Sequence, residues 1–280
     1  VNSITAISKS GSGLLTLSGP NTYTGSTTVN AGYLRLDHAS ALSGANLAII
    51  QSNVAGGLNA VVELGTGNTA FTRAIGTGAG QVNLGGTSSN GINNGGFASV
   101  NGTSTVNLGG SLIPTAITWG ATGFFQAGGA LQLGSPNVAG TVDFQNPINL
   151  VGNGTITVLN GSAAIDGIVS GQIRNQTGGG GTARSLTKDG AGTLSLTAAN
   201  DYSGGTTVTA GTLFVNNTTG SATGTGAVIV ATAGTLGGTG TVSGPVILQF
   251  AATVSPATTG TIGNLTLSNS ALTTASTNVF

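Results

Sequence analysis

A 29-residue segment occurs twice in this chain, and it constrains the fold more than any other feature. Residues 9–37 read KSGSGLLTLSGPNTYTGSTTVNAGYLRLD, and residues 188–216 read KDGAGTLSLTAANDYSGGTTVTAGTLFVN. Aligned without a gap, the two copies agree at 14 of 29 positions. Self-similarity of this kind is typical of repeat proteins, in which similar supersecondary units stack on one another. We therefore expect a repetitive architecture.

Apolar and polar residues alternate in short runs, which predicts β-strands with one buried face. Examples are LLTL at residues 14–17, VVEL at 61–64 and AVIV at 227–230. Glycine-containing dipeptides separate the runs and supply the backbone conformations that tight corners require. No window shows the helical period of apolar residues, and 51 glycines in 280 residues make helix costly. An all-β fold follows, either a sandwich of hairpins or a solenoid of parallel strands.

The recurring segments VELG, VNLG and LQLG favour the solenoid. Their leucines, Leu64, Leu84, Leu108 and Leu133, are 20, 24 and 25 residues apart. One coil of a parallel β-helix needs about that many residues for three strands and three corners, whereas a hairpin sandwich predicts no such recurrence. We therefore predict one continuous single-stranded parallel β-helix over residues 1–280, with roughly 11 to 14 coils and these four leucines stacked inward at equivalent positions.

The segment from Lys188 to Pro256 also resembles a known family. Its pattern K.G.GTLSL...N.YSGGTTV..GTL, followed by LGGTGTVSG and VSP, is similar to the autotransporter-associated β-strand repeat of bacterial autotransporter passengers and related surface proteins. Residues 9–37 carry the same pattern, but Leu14, Tyr33 and Arg35 depart from the small or threonine residues usual in the family. The resemblance implies a right-handed parallel β-helix that is exported and displayed on the bacterial outer cell surface.

Residues shared by the two repeat copies are expected to have structural roles. Asn21 and Asn200 can hydrogen-bond backbone groups that a corner leaves unpaired. Tyr23 and Tyr202 are expected beside a corner, where the ring can cover a glycine-rich turn and leave its hydroxyl group in water. The shared positions assigned to the structure of the repeat are Lys9, Asn21, Tyr23, Gly25, Lys188, Asn200, Tyr202 and Gly204.

Few residues could support chemistry. Six basic residues balance six acidic ones, so no strong field attracts nucleic acid or anionic lipid, and the absence of cysteine excludes disulfides and thiolate metal sites. His38 is the only histidine, and strand geometry would direct it away from the neighbouring Asp37. We interpret His38 as a residue at the edge of a coil, and we expect no cofactor and no catalytic base.

Three aspartates provide the best case for a metal site or an enzyme. Asp143, Asp166 and Asp189 are 23 residues apart, so coils of equal length would stack them on one face, near Arg184 and Lys188. Polysaccharide lyases and glycosidases need such acidic groups. Two of the aspartates, however, lie in IDG and KDG segments, where aspartate commonly forms local hydrogen bonds in turns. We therefore predict a structural series and no enzyme.

The aromatic residues Trp119, Phe124 and Phe125 have two interpretations. If they are exposed, their rings could stack on sugars; if they point inward, they fill the core, which is the more common position for large aromatic side chains. Both interpretations remain open at the level of the sequence.

These observations favour a non-catalytic extracellular element that forms a rigid stalk or fibre on a bacterial surface. The alternatives are an adhesin that binds glycans or other cells, and a polysaccharide lyase or glycosidase built on a β-helix. The terminal segments VNSITAIS and TASTNVF contain no charge and no proline. We therefore expect the chain to continue into flanking solenoid or to stack end to end with another copy, through residues 1–35 and 250–280. Surface glycans are the other expected partner; neither nucleic acid nor a membrane span is expected.

Overall fold

The structure is a computed structural model that describes residues 5–50, 59–85, 93–120, 124–125, 128–175, 182–256, 263–268 and 272–274. These described residues contain 26 β-strands and no helix. In chain order the strands are β1 (Ile7–Lys9), β2 (Leu14–Leu17), β3 (Thr27–Val29), β4 (Gly32–Leu36), β5 (Leu47–Ile49), β6 (Ala60–Leu64), β7 (Ala70–Phe71), β8 (Val82–Asn83), β9 (Asn94–Ser99), β10 (Thr103–Val106), β11 (Ile117–Trp119), β12 (Ala130–Leu133), β13 (Thr141–Phe144), β14 (Ile148–Leu150), β15 (Gly154–Val158), β16 (Gly167–Val169), β17 (Ile173–Asn175), β18 (Leu186–Asp189), β19 (Thr193–Leu196), β20 (Thr206–Val215), β21 (Val228–Gly238), β22 (Thr241–Val242), β23 (Val246–Leu248), β24 (Thr253–Pro256), β25 (Thr266–Leu267) and β26 (Leu272–Thr274).

The strands form three parallel ladders. The first ladder contains β2, β4, β6, β9, β12, β15, β18, β20, β21, β23 and β26 in that order. The second contains β7, β10, β13, β16, β19, β20, β21 and β24. The third consists of three sections, β1–β3–β5–β8, β11–β14–β17 and β22–β25. The long strands β20 and β21 cross from the first ladder to the second.

From β6 onwards, the chain visits the first, second and third ladders in turn and then returns to the first. Loops take the place of a third-ladder strand between β19 and β20 and between β20 and β21. This path is that of a three-sided parallel β-helix, so the predicted fold is confirmed. The eleven strands of the first ladder agree with the lower end of the predicted number of coils.

The core lies inside the three ladders and follows from the period-two pattern of the strands. In β4, Leu34 and Leu36 are fully buried, whereas the alternate residues face outward. The parallel register places apolar residues on top of one another: Leu15, Leu34, Val62 and Phe97 occupy the same position in successive strands. Each fully buried side chain of this size contributes about 1.5–3 kcal/mol relative to an exposed one. A continuous column of such residues stabilises a chain that has no disulfides.

The prediction that four leucines stack at equivalent positions is wrong, although all four are buried. Leu64 and Leu133 lie in the first ladder, in different registers, whereas Leu84 follows β8 in the third ladder and Leu108 follows β10 in the second. Coil lengths are unequal: the spacing between first-ladder strands ranges from 18 residues, Leu14 to Gly32, to 36 residues, Asn94 to Ala130. An inward leucine followed by a corner glycine can end a strand on any face, so this motif does not identify the face.

The two copies of the repeat lie on different faces of the solenoid. In the first copy, β1 belongs to the third ladder and β2 to the first. In the second copy, the equivalent strands β18 and β19 belong to the first and second ladders. The second copy is therefore displaced by one face relative to the first. Parallel pairing has the same geometry on each face, so the same sequence can form the same local structure on any of them.

Candidate functional site

The lysine that begins each repeat copy connects two consecutive coils. Lys188 occupies a core-facing position, in register with Ile156 and Val208, and is fully buried. Its Nζ donates hydrogen bonds to the carbonyl oxygens of Gly190 at 2.6 Å and Ala210 at 2.8 Å. Burial lowers the pKa of Lys188 to about 8, against smaller opposing contributions from Asp189 and Asp166. The ammonium group therefore bonds backbone carbonyl groups of two consecutive coils.

Lys9 has the equivalent position in the first copy. Its Nζ donates to the carbonyl oxygens of Ser10 at 3.0 Å, Gly11 at 2.7 Å and Ala31 at 2.9 Å. Burial also lowers the pKa of Lys9. The arrangement therefore recurs in both copies, on different faces of the solenoid.

The shared asparagines bridge coils through the backbone. The side-chain oxygen of Asn200 accepts a hydrogen bond of 2.7 Å from the amide of Ile173 in the preceding coil, and its Nδ2 donates to the oxygen of Ala222 in the next coil at 2.6 Å. Asn21 Nδ2 donates to Ala41 at 2.8 Å in the same way. An asparagine can form both bonds because its amide carries an acceptor and two donors.

The shared tyrosines are buried beside these asparagines. The Tyr202 hydroxyl and Thr206 Oγ1 are 2.6 Å apart, and Tyr23 makes the corresponding bond to Thr27. Burial raises the pKa of Tyr202, with a smaller lowering contribution from its hydrogen bond to Thr206. Both hydroxyl groups therefore lie inside the protein, and the prediction that they are in water is wrong.

The shared glycines allow close approach between coils. A Cβ atom at Gly204 would lie 2.4 Å from the carbonyl carbon of Arg184, and one at Gly25 would overlap the carbonyl oxygen of Thr5. Neither position needs a positive φ. The requirement at these two positions is space between adjacent backbones.

The three aspartates do not form the predicted stack. Asp143 in the second ladder is in register with Ile168, Asp189 in the first ladder is in register with Thr157, and Asp166 precedes β16. Asp166 is buried and accepts bonds from the amides of Gly161 at 2.7 Å and Thr193 at 2.8 Å. Equal spacing in sequence failed to align these residues because the coils differ in length. Among the residues that the structure describes, no group of three or more His, Asp or Glu side chains could hold a metal ion.

His38 and Asp37 have separate partners. His38 Nδ1 accepts a hydrogen bond of 3.0 Å from the amide of Ser40, and Asp37 Oδ1 accepts one of 2.8 Å from the amide of Thr66. The bond from Thr66 is also the main reason that the pKa of Asp37 is lowered. The His38 side chain thus acts in a local turn, whereas the Asp37 side chain connects its corner to the corner of the next coil.

The aromatic residues Trp119, Phe124 and Phe125 lie in the core with almost no exposed surface. The ring of Trp119 is 5.6 Å from each of the two phenylalanine rings, and these are 4.7 Å from one another. A sugar could stack on these rings only after they were uncovered.

A second site lies on the outside of the first ladder, where a loop covers three of its strands. Residues 134–140 connect β12 to β13, and Val138 in this loop packs with Val61 and Ala98 in a small apolar cluster outside the main core. The loop thereby buries Glu63, which faces outward from β6 and would otherwise be solvated.

Glu63 is fully buried, and each of its oxygens has two close polar contacts. Its Oε2 accepts from Nε of Arg35 at 2.8 Å and lies 2.7 Å from Nη2 of the same guanidinium group. Its Oε1 accepts from the hydroxyl of Ser135 at 2.6 Å and from Nδ2 of Asn137 at 3.2 Å. Arg35 Nη2 also donates to the carbonyl oxygen of Asn137 at 3.1 Å. These four contacts compensate the cost of removing a carboxylate from water and fix the loop against β4 and β6.

An open groove of about 430 Å³ lies beside this ion pair. It is lined by polar and aliphatic side chains from four parts of the chain: Arg35, Val100, Asn101, Pro136, Asn137, Val138, Ala139 and Ser162. Its volume is within the range of about 300–1,000 Å³ that is usual for small-molecule sites.

This groove is not predicted from the sequence, although two features of the sequence point to it. Arg35 departs from the repeat pattern, and Glu63 is the only glutamate in the chain. Their pairing could not be predicted, because 28 residues separate them and the loop that covers them comes about 70 residues later.

The part of the chain that the structure describes contains no helix that is long and apolar enough to cross a membrane. The predicted end-to-end contacts include residues 1–4 and 275–280, which lie outside the described residues.

Comparison with known proteins agrees with the repeat geometry. Residues 7–36 and 186–215 match the Passenger-associated-transport-repeat family. A stretch of 129 residues, 45% of this chain, is 35% identical to "Adhesin BmaC autotransporter" of Brucella suis biovar 1 (strain 1330), and it corresponds to 3% of that protein's length. No solved structure matches the chain. The family matches cover the two segments in which the lysine, asparagine and tyrosine side chains form corresponding hydrogen bonds.

Proposed function

We propose that this chain, an autotransporter-passenger β-repeat protein that is surface-exposed or secreted, serves as a non-catalytic rigid stalk. The observation that carries the proposal is the first ladder, in which eleven strands pair in register through the described residues. With strands about 4.8 Å apart, such a ladder extends for about 50 Å. A solenoid of this kind holds whatever it carries at a defined distance from its attachment point.

The contacts between coils support a stiff body. Lys188 and Asn200 each use buried side-chain atoms to bond the backbone of another coil, and the core is continuous along the ladders. Bending the solenoid would open these bonds and expose apolar surface, which costs free energy at every coil.

The ionisable residues support a non-catalytic role. Lys188 and Asp166 are committed to backbone hydrogen bonds, and Glu63 is enclosed by Arg35, Ser135 and Asn137. A general acid or base must instead be able to reach the proton that it transfers. We therefore assign these groups to the stability of the solenoid.

Removing one coil tests the stalk proposal. Deletion of residues 206–227 takes out the chain from the start of β20 to the start of β21, so the shortened chain should fold with the same cross-section. Small-angle X-ray scattering should give an unchanged cross-sectional radius of gyration and a maximum dimension smaller by about 5 Å. A compact or unfolded particle would contradict the proposal.

Adhesion is a second candidate function, because the relative at 35% identity is named an adhesin and the groove beside Arg35 is open to solvent. Display of the chain on a non-adherent bacterial strain, followed by counts of cells that adhere to epithelial monolayers, tests it. An empty display vector is the control, and equal adherence of both strains would contradict an adhesive role.

End-to-end contact, with flanking solenoid or with another copy of the chain, is the partner interaction that we propose for the stalk. Sedimentation velocity of the purified chain over a range of concentrations measures association between copies. If the chain stays monomeric at all concentrations, contact between copies is excluded, and flanking solenoid of the same chain is the end-to-end partner that this proposal retains.

A further inference from the structure

We propose that the groove beside Arg35 binds a neutral saccharide. The inference deepens the adhesive candidate function and rests on it for its biological role. The groove is formed where the 134–140 loop meets Val100 and Asn101, which follow β9, and Ser162, which follows β15. Together with Arg35 of β4, the groove combines residues from four coils, and its shape depends on the fold of the loop.

Several polar groups in the groove have unused hydrogen-bonding capacity. Within the described residues, the side-chain amide of Asn101 has no hydrogen-bond partner, Oδ1 of Asn137 accepts no bond, and Nη1 of Arg35 donates none. These groups are neutral amide donors and acceptors, together with one guanidinium nitrogen that can donate. A ligand that carries several hydroxyl groups can bond to donors and to acceptors, because each hydroxyl group both donates and accepts.

The charge of the groove favours an uncharged ligand. Arg35 is the only charged residue in the lining, and its charge is balanced by Glu63 at 2.7 Å. An anionic ligand would compete with the buried carboxylate for the same guanidinium group, and a cationic ligand would meet Arg35 without an accessible carboxylate. Neutral hydroxyl groups avoid both costs.

The remaining lining is aliphatic. Val100, Pro136, Val138 and Ala139 offer carbon surface next to the amide groups of Asn101 and Asn137. Sugar rings have the same combination, with C–H groups on their faces and hydroxyl groups at their edges. The open side of the groove would allow the rest of an oligosaccharide to extend into solvent.

The groove is also preorganised. Ser135 and Asn137 bond the buried carboxylate of Glu63, which fixes the loop before any ligand arrives. A ligand therefore does not have to order the loop, and the entropic cost of binding is reduced.

Titration of purified full-length chain with neutral disaccharides tests the inference, by saturation-transfer difference NMR and isothermal titration calorimetry. The probes are lactose, maltose, cellobiose and N,N′-diacetylchitobiose, with 3′-sialyllactose as the charged comparison. Ala139→Trp should fill the groove from an exposed position, and Asn101→Ala should remove an amide that has no protein partner. Ala233→Trp, at an exposed position in β21, is the matched control.

We expect at least one neutral disaccharide to bind, with affinity reduced about tenfold or more in Ala139→Trp and Asn101→Ala and unchanged in Ala233→Trp. Circular dichroism should show that all three variants fold. The inference is overturned if no neutral probe binds at about 10 mM, if only the charged probe binds, or if Ala139→Trp binds as well as the wild-type chain.

The adhesion assay, on cells that display the chain, distinguishes the saccharide-binding groove from the adhesive function. Adherent cells combined with a purified chain that binds no probe would overturn the saccharide groove and leave the adhesive function standing. Groove-dependent binding of a disaccharide by a chain that does not make cells adherent would support the groove and overturn the adhesive function.

Discussion

Lys188 bonds the next coil of the solenoid, with its Nζ 2.8 Å from the carbonyl oxygen of Ala210, while its aliphatic stem occupies a core position between apolar neighbours. Lys9 makes the same contact with Ala31 in the other repeat copy. A neutral amine retains two donors, enough for the carbonyl oxygens of Gly190 and Ala210. Deprotonation therefore removes the cost of the buried charge without breaking these bonds.

We expect the free energy of unfolding to rise between about pH 8 and pH 10, because the pKa of Lys188 is about 8 in the folded chain and 10.5 when unperturbed. In that range the unfolded chain binds the proton and the folded chain does not, so stability rises with pH by up to about 3 kcal/mol. Above pH 10 the raised pKa of Tyr202 acts in the opposite direction, since the unfolded phenol ionises first. Urea denaturation midpoints at intervals of half a pH unit measure the effect.

Lys188→Met is the matched variant for this pH dependence. It keeps the length of the side chain and removes the titrating group, so the rise between pH 8 and pH 10 should largely disappear. An unchanged rise in Lys188→Met would assign the pH dependence to another group.

Arg35→Met should lower the free energy of unfolding by about 3 kcal/mol, because it leaves the buried carboxylate of Glu63 without its counter-ion. Replacing both residues, with Arg35→Met and Glu63→Leu, should restore much of the loss, since no charge then remains buried. Asp201→Ala, at an exposed side chain, should change stability by less than about 0.5 kcal/mol. A double-mutant cycle, measured by urea denaturation, gives the coupling free energy between Arg35 and Glu63. Strictly additive effects of the two substitutions would contradict the predicted coupling.

Gly204→Ala should destabilise the chain by about 1–3 kcal/mol, because the added Cβ would force the backbone of Arg184 away from its neighbour. Gly13→Ala is the control: its Cβ would meet nothing within 4 Å, and its φ is not positive. Thermal denaturation of the two variants compares them directly. Equal melting temperatures would show that the coils can separate at Gly204 without cost.

Asn200→Ala should expose the amide of Ile173 to hydrogen exchange, since Asn200 Oδ1 is its hydrogen-bond acceptor. The buried amide and the carbonyl oxygen of Ala222 would each lack a partner, at a cost of about 1–3 kcal/mol per group. Asn153→Ala, which removes an exposed bond to the amide of Ser185, should have a smaller effect. Hydrogen exchange measured by NMR reports on each amide, and continued protection of Ile173 in the Asn200 variant would refute the role.

The sequence by itself determined the class of fold. Alternation of apolar and polar residues defined the strands, glycine-rich corners separated them, and the 29-residue repeat indicated a stack of similar units. It also indicated which residues have a structural role in the repeat, because Asn200 and Tyr202 occupy the same positions in the second copy as Asn21 and Tyr23 in the first. These properties depend on local geometry, and a strand or corner has the same requirements on every face of the solenoid.

Only the tertiary structure decided which residues meet across coils. Because coil lengths range from 18 to 36 residues in the first ladder, equal spacing in sequence did not stack Leu64 on Leu84 or Asp143 on Asp166. The pairing of Arg35 with Glu63, and the loop that buries them, depend on the sum of several loop lengths. Local patterns specify the strands, but the register between distant strands is set by packing of the whole coil, and the groove exists only once that register is fixed.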